Sequence, residues 1–190
     1  MLKVTRQIAV VPKRYVAGDQ VHIPILGKNY SATAVKRTAS GMIFLFDSCL
    51  EKEMKITCHK KRAENGYWGY YGFTWEESDL KKFLGNLINH VPKKIARQMV
   101  PFANGDYFRL LTVDEIPAGV CDLGRKKVIN SLVDQNKRVK KINEAEASQY
   151  WLQSEDDGWF SYVDRSGRVK FEGCLPNEAK GVVPLFILKD

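Results

Sequence analysis

Cysteine, histidine and clustered carboxylates are the residues best able to do chemistry here. The cysteines are Cys49, Cys58, Cys121 and Cys174. No pair has C-x-x-C spacing, and Cys58-His59 has no matching second pair, so no zinc site is expected. His22, His59 and His90 are scattered along the chain. His90 falls at a predicted helix end, where a cation suits the dipole. No G-x-S-x-G, P-loop or H-E-x-x-H pattern occurs. Glu155-Asp156-Asp157 is an oxygen-rich run, but three consecutive acids in a loop are more often solvated than calcium-bound. The reading expects no catalytic residue, no metal and no cofactor.

Recognition chemistry has more support. Gly66-Tyr67-Trp68-Gly69-Tyr70-Tyr71-Gly72-Phe73 interleaves five aromatics with three glycines. The glycines free the backbone, and the rings offer stacking faces. Such a loop either recognises bases, sugars or a protein, or folds its rings into the core. The net charge is +8, and Gly124–Asn143 holds Arg125, Lys126, Lys127, Lys137, Arg138, Lys140 and Lys141 against Asp134 alone. This stretch is a candidate polyanion-binding patch, with a solvated lysine-rich face as the competing reading. Residues 144–190 are net acidic, with 5 basic and 9 acidic residues.

The elements that must position these residues are partly legible. Val21–Ile25 and Met42–Phe46 are short apolar runs between turn residues, which predicts strands. Ala39-Ser40-Gly41 predicts a hairpin between Thr33–Arg37 and the second run. Thr74-Trp75-Glu76-Glu77 fits a capping box, and Leu80, Phe83, Leu84, Leu87, Ile88 and Val91 follow at helical spacing. One main helix over about 75–91 is expected, ended by Pro92. A short second helix is expected over Lys93–Val100. Asp106–Thr112 is expected as a strand, with a helical turn over Val113–Ile116. Lys126–Ile142 carries a partly helical apolar stripe and stays ambiguous. Tyr150–Ser154, Trp159–Asp164, Arg168–Glu172 and Val182–Leu188 are expected as strands, with a tight turn at Arg165-Ser166-Gly167.

The 190 residues are 44% hydrophobic and 27% charged. That composition excludes a disordered, collagen-like or coiled-coil chain and suits one core. The longest apolar runs fall far short of the roughly 18 residues of a membrane span. Met1–Val11 lacks a signal-type apolar region, so reduced thiols in a cytoplasmic protein are expected. No linker or repeat appears, which predicts one α+β domain over 1–190.

Four landmarks in the sequence resemble a bacterial and prophage domain of unknown function. Its T-W-x-x-S-x-L-R-x-W-L-N helix is similar to Thr74–Gly85. Its D-x-V-F-L-L-S-x-x-E segment is similar to Asp106–Glu115. Its W-W-L-R-S-P motif and following D-x-x-G turn are similar to Tyr150–Glu155 and Asp164–Gly167. Its terminal G-V-R-P-A-F is similar to Gly181–Phe186. The landmarks keep their order across about 115 residues. The motif arginines are replaced by Gln153 and Val183, and the proline by Glu155. The replaced positions are expected to repack as framework, and Trp151 is expected in the core.

The resemblance implies a C-type-lectin-like fold, similar to that of formylglycine-generating enzymes and variable phage tropism proteins. That implies a twisted antiparallel sheet, one main helix and long loops, with Val182–Leu188 returning beside the N-terminal hairpin. The paired copper-binding cysteines of the enzymes are not matched here. The expected function is therefore non-enzymatic recognition of a protein partner through loops. The phage setting suggests inhibition of a host or defence factor. The expected contact residues are Tyr67, Trp68, Tyr70, Tyr71, Asp156, Asp157 and Trp159. The alternative is a nucleic-acid binder, or an inhibitor of a nucleic-acid enzyme, using the 125–141 stretch and the 67–73 loop.

Overall fold

The computed structural model describes residues 14–62, 68–69, 74–117, 127–142, 146–156 and 159–189. The chain opens with β1 (Gln20–Ile25), β2 (Lys28–Thr38) and β3 (Gly41–Phe46), joined as consecutive antiparallel hairpins. Alternation turns Ile23 and Ile25 of β1 and Tyr30, Ala32 and Ala34 of β2 inward, while every residue of β3 is buried. The turn expected at Ala39–Gly41 is present, closing with Thr38 opposite Gly41. Two short strands follow, β4 (Lys61–Arg62) and β5 (Trp68–Gly69), paired with each other.

The expected helix over 75–91 is broken into three pieces. Trp75–Glu77 is a 3-10 turn, α1 spans Asp79–Asn86, and Leu87–His90 is again 3-10. Ser78 causes the first break. Its backbone is extended (ψ 148°), and its hydroxyl accepts the Lys81 N–H at 3.0 Å, so Ser78 caps the α-helix, while the capping box expected at Thr74–Glu77 is present on the 3-10 turn before it. The expected apolar face survives, with Leu80, Leu84, Leu87 and Val91 all buried. A single turn, α2 (Lys93–Ala96), follows Pro92, shorter than the helix expected there.

After β6 (Met99–Val100) the chain was expected to form a strand over Asp106–Thr112. Instead this segment is an extended crossing between two sheets. Arg109 bridges Leu185, and Leu111 accepts the Gln153 N–H at 2.7 Å, so neither neighbour holds it along its length. The helical turn expected at Val113–Ile116 is present as a 3-10 turn over Val113–Glu115. The stripe in 126–142 folds as two 3-10 turns, Asn130–Val133 and Gln135–Arg138, which bury Ile129 and Leu132. Two short strands, β7 (Lys140–Lys141) and β8 (Ala147–Ser148), then pair.

The last strands are β9 (Tyr150–Asp156), β10 (Trp159–Val163), β11 (Val169–Cys174) and β12 (Leu185–Leu188). β9, β10 and β11 form a separate antiparallel sheet. β12 inserts between β3 and β6, giving the order β1-β2-β3-β12-β6. The C-terminal strand thus lies beside the N-terminal hairpin, as expected. The architecture is α+β, mainly antiparallel, with one main helical segment.

Phe186 centres the core. Its ring lies 5.5 Å from Phe44, 5.7 Å from Phe46 and 5.9 Å from Phe108. Among the described residues no helix is long and apolar enough to cross a membrane.

Candidate functional site

The residues that the sequence put forward scatter into different environments. Tyr67, Tyr70, Tyr71, Asp157, Arg125 and Lys126 lie outside the described residues. Trp68 is in β5, opposite Arg62. Asp156 and Trp159 pair across the β9–β10 hairpin, so the backbone brings these two together.

The basic stretch is not displayed as one face. Arg138 and Lys140 were expected on the surface, and both are buried. The Arg138 guanidinium donates to the carbonyls of Leu132 at 2.6 Å and Pro117 at 2.9 Å, so its planar fork ties a loop together. Lys140 sits in β7, where strand alternation turns it inward and leaves Lys141 exposed. Lys137 is exposed. Lys127 is exposed and ion-paired with Asp114 at 3.0 Å.

Two of the thiols, Cys49 and Cys174, offer little nucleophilic chemistry. Burial pushes the Cys49 thiol up to about 12, against the opposing charge of Lys140. Burial also raises the Cys174 thiol, to about 11. Both therefore stay protonated near neutrality. His59 lies 3.6 Å from Asp79 on an exposed loop.

Among the described residues, several members of the landmark motifs are framework in this chain. Trp151 is fully buried, and its indole donates to the Met54 carbonyl at 2.7 Å. Asp164 Oδ1 accepts the N–H groups of Ser166 at 2.9 Å and Arg168 at 3.0 Å. Those bonds close the turn that Gly167 completes at φ +84°. Glu115 accepts both Arg109 Nη1 at 2.7 Å and Arg109 Nη2 at 2.5 Å. It also accepts the Thr112 N–H at 2.9 Å. Val183 is core. Gln153 is half-buried, and its buried Oε1 has no hydrogen-bond partner.

A groove of about 740 Å³ opens beside the Arg109–Glu115 pair. Lys36, Arg109 and Lys127 line it, and each cation is already engaged. Lys36 donates to the Val128 carbonyl at 3.1 Å, Arg109 is held by Glu115 and stacks 4.4 Å over Phe102, and Lys127 holds Asp114. Such a groove offers little to an incoming anion.

Sequence reading missed the most exposed large apolar side chain among the described residues. Phe171 on β11 is 60% exposed. Its neighbours alternate polar and apolar, which reads as an ordinary inward-facing position. The register explains the exposure. Between the pairs Tyr162–Lys170 and Phe160–Cys174, β10 advances two residues while β11 advances four. Phe171 lies in that irregularity, and bulges re-aim side chains. No strand pairs beyond β11 in this sheet among the described residues, so Phe171 stands on an edge.

No protein-family model, curated protein or solved structure matches this chain.

Proposed function

We propose that this chain is a non-enzymatic recognition protein of C-type-lectin-like architecture, acting in the cytoplasm on a protein partner. The carrying observation is Phe171, a large ring set on the edge of the β9–β11 sheet. Aromatic side chains are the commonest anchors of protein interfaces, and an open strand edge adds main-chain hydrogen bonds. The same sheet carries the Asp156–Trp159 hairpin end, which the sequence reading assigned to the contact surface. The paired N- and C-terminal strands, the second small antiparallel sheet and the one main helix support the lectin-like assignment. A bacterial or phage origin, and inhibition of a host or defence factor, follow only from the resemblance of the four landmarks.

The inward turn of Arg138 and Lys140 weighs against the nucleic-acid reading, because it removes two of its cations from the surface. Fluorescence anisotropy with labelled single-stranded and duplex nucleic acids tests the choice. The proposal expects no binding at physiological salt. Micromolar or tighter binding with a steep salt slope would overturn it.

A further inference from the structure

A second cavity, of about 540 Å³, lies between β2, β3 and the segment around 131–140. Leu45, Leu132 and Val139 give it aliphatic walls, and Asp47, Ser131 and Lys140 bring polar groups to it. Asp47 Oδ1 accepts the Thr33 hydroxyl at 2.6 Å, while Oδ2 is buried without a partner. The Ser131 hydroxyl is also buried without a partner. Lys140 is only 6% exposed, and among the described residues no hydrogen bond or ion pair engages its ammonium. Burial holds its pKa below the ordinary lysine value, with the Asp47 charge opposing that shift. Asp47 and Lys140 both line this cavity and form no ion pair with each other.

Asp47 Oδ2 and the Ser131 hydroxyl are thus buried polar atoms left unpaired, beside a lysine that no carboxylate holds among the described residues. Buried polar groups are nearly always paired, and an isolated buried charge costs more than a neutral group. An anion alone would satisfy Lys140 and repel Asp47. A cation alone would do the reverse. A molecule carrying both charges on neighbouring atoms satisfies both groups at once. We propose that this cavity binds a zwitterionic α-amino acid with an aliphatic side chain. Asp47 Oδ2 accepts from the α-ammonium, Lys140 and Ser131 donate to the α-carboxylate, and Leu45, Leu132 and Val139 surround the side chain. Nothing in this site depends on the partner surface at Phe171.

Isothermal titration of the full chain with glycine, L-alanine, L-valine and L-leucine tests it. Isovalerate and isobutylamine serve as single-charge controls, and glucose as a neutral polar control. The expected result is saturable binding of at least one aliphatic amino acid, with each single-charge control weaker by about tenfold or more, the loss of one charged hydrogen bond. Asp47→Asn and Lys140→Met should each lose about tenfold on the same ground. Ser131→Ala, a milder change, should fold and bind a few-fold more weakly. Absence of saturable binding by all four amino acids overturns the proposal. So does equal binding of either single-charge control, binding of glucose in their place, or unchanged affinity in Ser131→Ala together with either charge variant that folds.

Discussion

Phe186 on β12 lies directly opposite Phe44 on β3, and their rings stack with planes 13° from parallel. Through this pair the C-terminal strand is locked to the N-terminal hairpin. The contact spans most of the chain, so it forms only once the intervening elements are in place. Phe186→Ala should cost about 3–5 kcal/mol, the range for deleting a buried ring. Urea denaturation followed by tryptophan fluorescence measures it. A loss below about 1 kcal/mol would mean that β12 is not central to the core.

The Arg109–Glu115 pair predicts an asymmetric mutational response. Both side chains are largely buried, and Glu115 also holds the Thr112 N–H. Glu115→Gln leaves a buried guanidinium without its counter-charge, which costs about 3–5 kcal/mol. Replacing both, as Arg109→Met with Glu115→Leu, should recover a large part of that loss. Chemical denaturation of the two variants separates the cases. Equal stability of the single and double variants would show that the pair is not electrostatically coupled.

Three glycines should respond in opposite directions. A Cβ at Gly181 would lie 2.6 Å from Cys49 Sγ and 3.0 Å from the Gln149 carbonyl oxygen. A Cβ at Gly167 would run into the Gln135 carbonyl, and its φ is left-handed. Gly85, inside α1, has open space around it. Gly181→Ala and Gly167→Ala should lower the Tm, while Gly85→Ala should raise stability by about 0.5–1 kcal/mol. Differential scanning fluorimetry reads all three.

Asp79 and Asp164 are two of the carboxylates on which acid stability depends. Burial pushes the Asp79 and Asp164 carboxyls up, but hydrogen bonds outweigh it and hold both below the ordinary 3.8. Asp79 accepts from the Cys58 N–H and the Thr57 hydroxyl, and Asp164 from Ser166 and Arg168. A folded pKa below the unfolded one adds stability that is full above the unfolded value and lost as pH falls through the folded value. Melting curves should therefore decline below about pH 4, with the loss continuing to lower pH. Asp164→Asn should lose about 1 kcal/mol at neutral pH and flatten that decline. An unchanged acid profile in Asp164→Asn would contradict its role.

These responses mark the limits of what the sequence could convey. The hairpin at Ala39–Gly41, the late strands and the buried face of the main helix follow from local periodicity and turn residues, and the structure shows them, although the last strand begins at Leu185 rather than Val182. The helix break at Ser78 was less legible, because Thr74 and Ser78 both carry capping hydroxyls and both are used, Thr74 on the 3-10 turn and Ser78 on the α-helix, where Asp79 is also held by Thr57 and Cys58. Asp106–Thr112 has strand composition but bridges two sheets, a matter of topology. The basic stretch misled for a simpler reason. Charge counting is blind to direction, and the alternation of a two-residue strand turns Lys140 in and Lys141 out. Phe171 was hidden because its exposure depends on a register shift against β10, which no property of β11 alone encodes.

Site-specific photo-crosslinking from position 171 most directly tests partner recognition at the β11 edge. p-Benzoylphenylalanine is placed at 171, and at the exposed position 82 on α1 as a control, and each chain is irradiated in host lysate at physiological salt. The account predicts a discrete, nuclease-resistant protein adduct from 171 that excess unlabelled chain competes away and that position 82 does not give. No adduct from 171, the same adducts from both positions, or a nuclease-sensitive adduct would contradict it.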